Sequence, residues 1–174
     1  MQFSTGQVVV HPHHGPATVS EIYSRPIRMV PTEYLRLTIH HSDLTIDLPA
    51  LQAEELGVRP LCDAAGLSRL LEVLRAPTGD EQDSWTRRFK ENQEKLRRGD
   101  LFVAAEVVRD LARREHNSHL SVGEKAMLRS ARGPVVTELS LVLSIPEEEA
   151  ESLIDANIFE SESVPEQRVF AEAG

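Results

Sequence analysis

Several things are scarce or missing in this sequence, and each shortage narrows what the chain can be. Cys62 is its one cysteine in 174 residues, so no disulfide can form within the chain, which fits a reducing compartment. The longest apolar stretch, around Val135 to Ile145, is interrupted by Glu138 and by polar residues. It falls short of the roughly 18 to 20 apolar residues that cross a bilayer, and no membrane span is expected. The opening MQFSTGQVVV has no basic start, apolar signal core or small-residue cleavage site, so export is not signalled and a cytoplasmic protein is expected. Enzyme signatures are missing as well: there is no G-x-x-x-x-G-K-[ST] loop, G-x-G-x-x-G turn, G-x-S-x-G elbow or H-E-x-x-H helix. Neither catalysis nor a cofactor is expected. With 40% hydrophobic and 27% charged residues the chain can still bury a core, enough for one or two domains.

Positive charge is in deficit overall, at a net −9, which by itself argues against nucleic acid. The deficit is uneven. Residues 84–132 carry twelve Lys and Arg against seven acids, whereas residues 133–174 carry one against ten. Fields are screened beyond a Debye length of about 8 to 10 Å, so a basic segment between acidic ones can meet a polyanion locally.

Patterning divides the chain. Residues 1–60 read as short strands: Val8 to Val10, then the turn HPHHGP (His11 to Pro16), then Ala17 to Ser24. Tyr34 to Ile39 alternates, with Leu35, Leu37 and Ile39 on one face and Tyr34, Arg36 and Thr38 on the other. A four-residue loop, His40 to Asp43, leads into Leu44, Ile46 and Leu48 facing one way and Thr45 and Asp47 the other. So few short strands close only into a small bent half-barrel, SH3-like in scale. From Asp63 the period becomes helical. Leu67, Leu70, Leu71 and Leu74 line a first helix that stops at Ala76-Pro77. A second, capped by Asp83 or Ser84, runs from about Trp85 to Arg98, and Asp100 caps a third from Leu101 to about Glu115. Ser121 and Glu124 form a capping box opening a fourth, which Gly133-Pro134 is expected to kink or interrupt. Ser144 to Glu147 opens a last one. The fold class expected is α+β, with a β half-barrel over 1–60, a helical bundle over 61–160 and a loose acidic tail over 161–174.

Two segments invite chemistry. The histidines of HPHHG offer His11 and His13 on one face, but only His40, His41 and Cys62 are near in sequence to complete a tetrahedral set, so a strand-ending turn is the better reading and no metal is assigned. Ser84 to Arg98 sets six cations against two acids around Trp85, Phe89 and Leu96, which share one side of a helix. Spacing alone makes Trp85 as good a core residue as a surface one. Its place in the first helical turn, flanked by Arg87, Arg88 and Lys90, favours an indole that stacks on or wedges into a distorted duplex. Lys95 continues the basic run. Arg109, Arg113 and Arg114 either extend the patch on the next helix or pair with Glu106 and Asp110.

These pieces, in order, resemble the CarD/CdnL family of transcription regulators: GQVVVHPHHGPATV, EYLRLTI, DLTIDLPA, GVRPL, SWTRRFKENQEKLRRGD, AEVVRDLARRE and LSVGEKAML. The resemblance spans roughly residues 2 to 143, and the first part is also similar to the polymerase-interacting domain of transcription-repair coupling factor. It implies a Tudor-like N-terminal domain on the protrusion lobe of the RNA polymerase β subunit, and a helical domain on promoter DNA at the upstream fork of the bubble. The partner implied is the housekeeping sigma holoenzyme, and the chain is expected to act as a monomer, nucleoid-associated through the polymerase. DNA contact would fall to Trp85 in the minor groove, with Arg87, Arg88, Lys90, Lys95 and Arg114 supplying charge. Polymerase contact would fall to Arg25 and to position 47, where the family carries a basic residue and this chain carries Asp47. That reversal keeps open a second reading, an interaction adaptor of the same fold with a weakened polymerase or DNA contact and Trp85 packed in the core.

Overall fold

The computed structural model describes residues 2–79 and 84–159. The expected Asp83 cap and the acidic tail lie outside the described residues. Four strands, β1 (Val8–His11), β2 (Gly15–Ile27), β3 (Val30–Ile39) and β4 (Thr45–Pro49), form one antiparallel sheet in the order β1-β2-β3-β4. The alternation in β3 works as expected, since Leu35, Leu37 and Ile39 bury themselves against Val9, Ala17, Val19 and Leu48. A bulge between Val19 and Glu21 helps curl the sheet into a half-barrel.

β2 and β3 are longer than their alternation signalled. They continue as a two-stranded arm in which Pro26 faces Pro31, closed by Arg28-Met29, both at positive φ (48° and 67°). Two successive left-handed residues are what a two-residue hairpin turn requires, even without glycine.

Five helices follow: α1 (Ala64–Arg75), α2 (Trp85–Arg97), α3 (Leu101–Asn117), α4 (Val122–Leu143) and α5 (Glu147–Phe159). Local signals set three of their starts. Asp63 accepts from Gly66 N, Asp100 from Phe102 N and Val103 N, and Ser121 with Glu124 forms a complete capping box. α3 packs against the other four helices, and its Ala105, Val108 and Leu111 sit in a core with Leu70, Leu74, Leu139 and Ile154.

Of the kink or interruption expected at Gly133-Pro134, the interruption is corrected, because α4 runs unbroken from Val122 to Leu143 with Pro134 inside it. Buried Ala131, Val135, Val136 and Leu139 hold the helix on both sides of the missing donor. The proline ring itself packs on the sheet module. A Cβ at Gly15 (φ +72°) would lie 2.7 Å from Pro134 Cβ, so only glycine fits that turn.

The HPHHG turn is a seat between the modules. Pro12 abuts Gly99 so closely that a Cβ there would stand 2.5 Å from Pro12 Cβ. Nearby, Arg59 exchanges both backbone hydrogen bonds with Val10 and sends its guanidinium to Glu138 of α4 at 2.7 and 2.9 Å. Glu138, 2% exposed, also accepts from Cys62 N at 3.0 Å. Backbone of the sheet module and side chain of the helical module thus meet through one residue. Among the described residues, no three His, Cys, Asp or Glu side chains gather where they could hold a metal.

Candidate nucleic-acid interface

α2 opens on Trp85, and this position keeps the indole out of the core, 48% exposed. A residue in the first turn projects beyond the packed part of its helix, whereas Asn92 and Leu96, further along, turn toward α3. The ring is nevertheless ordered by neighbours. It stacks on Phe89 at 5.8 Å between centroids and 28° between planes, and its Nε1–H donates to Ser121 Oγ at 2.9 Å. Ser121 is the N-cap of α4, so the starts of two helices meet at the indole. Helix starts carry partial positive charge, and here two of them share one tip. Val122, the residue after Ser121, is 87% exposed.

The cations sort into two groups. Arg87 and Lys90 are exposed on the outer side of α2. Arg88 turns inward, its side chain 13% exposed, to pair with Glu124, 1% exposed, at 3.1 Å. Burial alone would raise the Glu124 carboxyl, but hydrogen bonds from Ser121 and the Arg88 guanidinium outweigh it and hold the group below its ordinary range. Lys95 is bound to Glu106 at 2.8 Å. Arg114 is half-buried and, with Arg88 and Lys95, lines a polar cleft of about 100 Å³ between α2 and α3.

The reading in which Arg109 and Arg113 extend a basic surface is corrected. Both are 4% exposed. Arg109 donates to Val73 O and, as the alternative reading allowed, pairs with Asp110 at 2.7 Å, while Arg113 donates to Ala76 O and Ile158 O, so that both satisfy carbonyls near the ends of α1 and α5. Lys125 escaped the sequence reading. It is exposed, one turn into α4, its backbone N–H bonded to Ser121 O. The capping box announced where α4 begins, but nothing local says that this start lies against Trp85.

The second surface is the outer face of the curled sheet. Arg25 lies over the Tyr34 ring, 4.1 Å from guanidinium carbon to centroid, and Tyr34 stacks on Tyr23. Tyr34 belongs to the outward face yet is only 5% exposed, with these two side chains lying against it. Asp47 points outward, as its alternation requires, and is not a lone acid. β3–β4 register puts it opposite Arg36, whose Nε and a terminal nitrogen reach its two oxygens at 2.9 and 3.2 Å, while another terminal nitrogen reaches Glu21. The Arg36 hydrogen bonds hold the Asp47 carboxyl below its usual range and raise the guanidinium further. Alternation placed Arg36 on this outward face, but only the β3–β4 register shows that it is the partner of Asp47.

A curled β module joined to a helical bundle, with a half-exposed indole and exposed Arg87 and Lys90 on α2, defines a two-module α+β protein. Residues 3–62 match the CarD-like/TRCF RID domain and residues 69–155 the CarD C-terminal domain. The chain therefore belongs to the CarD family, which ties it to transcription regulation and to interaction with RNA polymerase. Over 150 residues it is 27% identical to a Bacillus subtilis (strain 168) protein named "Putative transcription factor YdeB", a match covering 86% of this chain and 98% of that protein.

Proposed function

We propose that this chain is a non-enzymatic regulator that holds the RNA polymerase β subunit, at its protrusion lobe, through the sheet module and presents Trp85 to the upstream fork of an opened promoter. The observation that carries the reading is the half-exposed indole at the shared start of α2 and α4, with exposed Arg87 and Lys90 behind it. An aromatic face accepts an unstacked base without regard to sequence, and the cations draw backbone phosphate to the same place. Pairs beside a melted region are cheap to part, so the contact favours opened over closed DNA. The opened state gains population by that difference, about 1 to 3 kcal/mol for one stacked base. Arg25, over Tyr34 on the sheet's outer face, offers a cation to the polymerase. Asp47 serves there by fixing Arg36.

The adaptor reading requires a core tryptophan, and 48% exposure supports the fork contact instead. The test is a Trp85→Ala protein in an open-complex lifetime assay with sigma holoenzyme. Polymerase binding should be retained and the lifetime gain lost; an unchanged lifetime would refute the reading.

A further inference from the structure

The indole's hydrogen bond to the α4 cap leads beyond Trp85 itself, though the step rests on the fork-contact reading. We propose that Ser121 is a positioning residue: its hydroxyl fixes the Trp85 ring in the orientation that meets DNA, so the contacting unit is the α2–α4 pair and not α2 alone.

A serine hydroxyl has one proton and two lone pairs. Trp85 Nε1 and Glu124 N are donors only, and they lie 2.9 and 3.2 Å from Ser121 Oγ. Both lone pairs are therefore taken, and the single proton goes to Glu124 Oε2 at 2.9 Å. Glu124 cannot swing away, because its other oxygen takes the Arg88 guanidinium at 3.1 Å and Oε2 also takes Ser121 N at 3.0 Å. The ring's stacking partner, Phe89, is itself close against α4: a Cβ at Gly123 would come 3.1 Å from Phe89 Cε2. An exposed aromatic at a helix start would otherwise sample several rotamers and lose that freedom on binding, a cost that pre-ordering removes. Inward-facing Arg88 acquires a role in the same chain of contacts, holding the carboxylate that orients the hydroxyl.

The experiment uses the full chain, whose one tryptophan makes its fluorescence report Trp85 alone. Glycine caps a helix almost as well as serine, so Ser121→Gly removes the indole's acceptor at small cost to α4, and Ser121→Thr returns the hydroxyl. Asp63→Ala, which removes the α1 cap far from Trp85, controls for lost stability. Ser121→Gly should lower the steady-state anisotropy of Trp85 and weaken binding to a forked duplex about three- to tenfold, the range for ordering one side chain. Ser121→Thr should restore both, and Asp63→Ala should change neither. If Trp85→Ala loses fork binding while Ser121→Gly keeps wild-type anisotropy and affinity, the positioning role is overturned. If Trp85→Ala itself binds forks as the wild type does, the fork contact falls and the positioning role falls with it.

Discussion

Arg36 and Asp47 face each other across the β3–β4 ladder, joined by two hydrogen bonds of 2.9 and 3.2 Å, so the acid on the outer sheet face is an ion-paired group and not a lone negative charge. Replacing Asp47 by arginine sets two guanidinium groups opposite each other and leaves Arg36 with Glu21 alone. Asp47→Arg should therefore lower the melting temperature and leave polymerase capture no better than wild type. The swap Arg36→Asp/Asp47→Arg should recover the melting temperature. A double mutant no more stable than the sum of its singles would show that the pair does not couple.

Cations on α2 should separate by direction. Arg87→Ala and Lys90→Ala should each weaken DNA binding for all sequences and reduce the slope of log K against log salt by about 1, with stability unchanged. Arg88→Ala leaves Glu124, whose side chain is 1% exposed, without its cation. That variant should lose about 3 kcal/mol in denaturant titration. Equal salt slopes for Arg88→Ala and Arg87→Ala would contradict the division.

What could be read in advance follows the range of the forces. Asp63, Asp100 and the Ser121–Glu124 box act within four residues, so the helix starts were legible. The alternation of Leu35, Leu37 and Ile39 gave the buried face of β3. Tertiary context decided the rest. Arg109 and Arg113 look like surface charges because the carbonyls they satisfy come from residues some 36 to 45 positions away. Pro134 looks like a breaker because its contact, Gly15, lies in the other module. Alternation ended at Ser24 and resumed at Tyr34, yet the strands continue through Pro26 and Pro31, which sit opposite each other in an arm. At the tip, spacing gave the Trp85–Phe89 side of α2, and only the packing of α4 brought in Ser121 and Lys125.

Glu138 joins the modules. Glu138→Ala takes the acceptor from Arg59 and from Cys62 N, and should cost about 3 kcal/mol. Because the Arg59 backbone is bridged to Val10, the loss falls on the junction and not within either core. Calorimetry should show the unfolding transition broadening or dividing in two; a single transition shifted intact to lower temperature would place the effect inside the bundle instead.

His11 gives the junction a pH dependence whose sign can be worked out. Burial, then the neighbouring His14 and His13, lower its pKa from 6.5 to about 4. Geometry agrees: Nδ1 accepts the His13 backbone N–H at 3.2 Å, and a proton there would break that bond. Between pH 6.5 and 4 the unfolded chain holds a proton that the folded chain refuses. The stabilisation is therefore complete above pH 6.5, declines as pH falls through this window, and is flat below about 4. His41, lowered chiefly by its own burial, acts in the same direction. The His11 ring is only half-buried, so after solvent screening the loss is on the order of 1 kcal/mol. Urea titrations at pH 7.5 and 5.0 should show the wild type losing more stability than His11→Gln over that interval. Equal losses in the two proteins would mean that His11 titrates alike in both states and that its seat at the junction is not selective for the neutral ring.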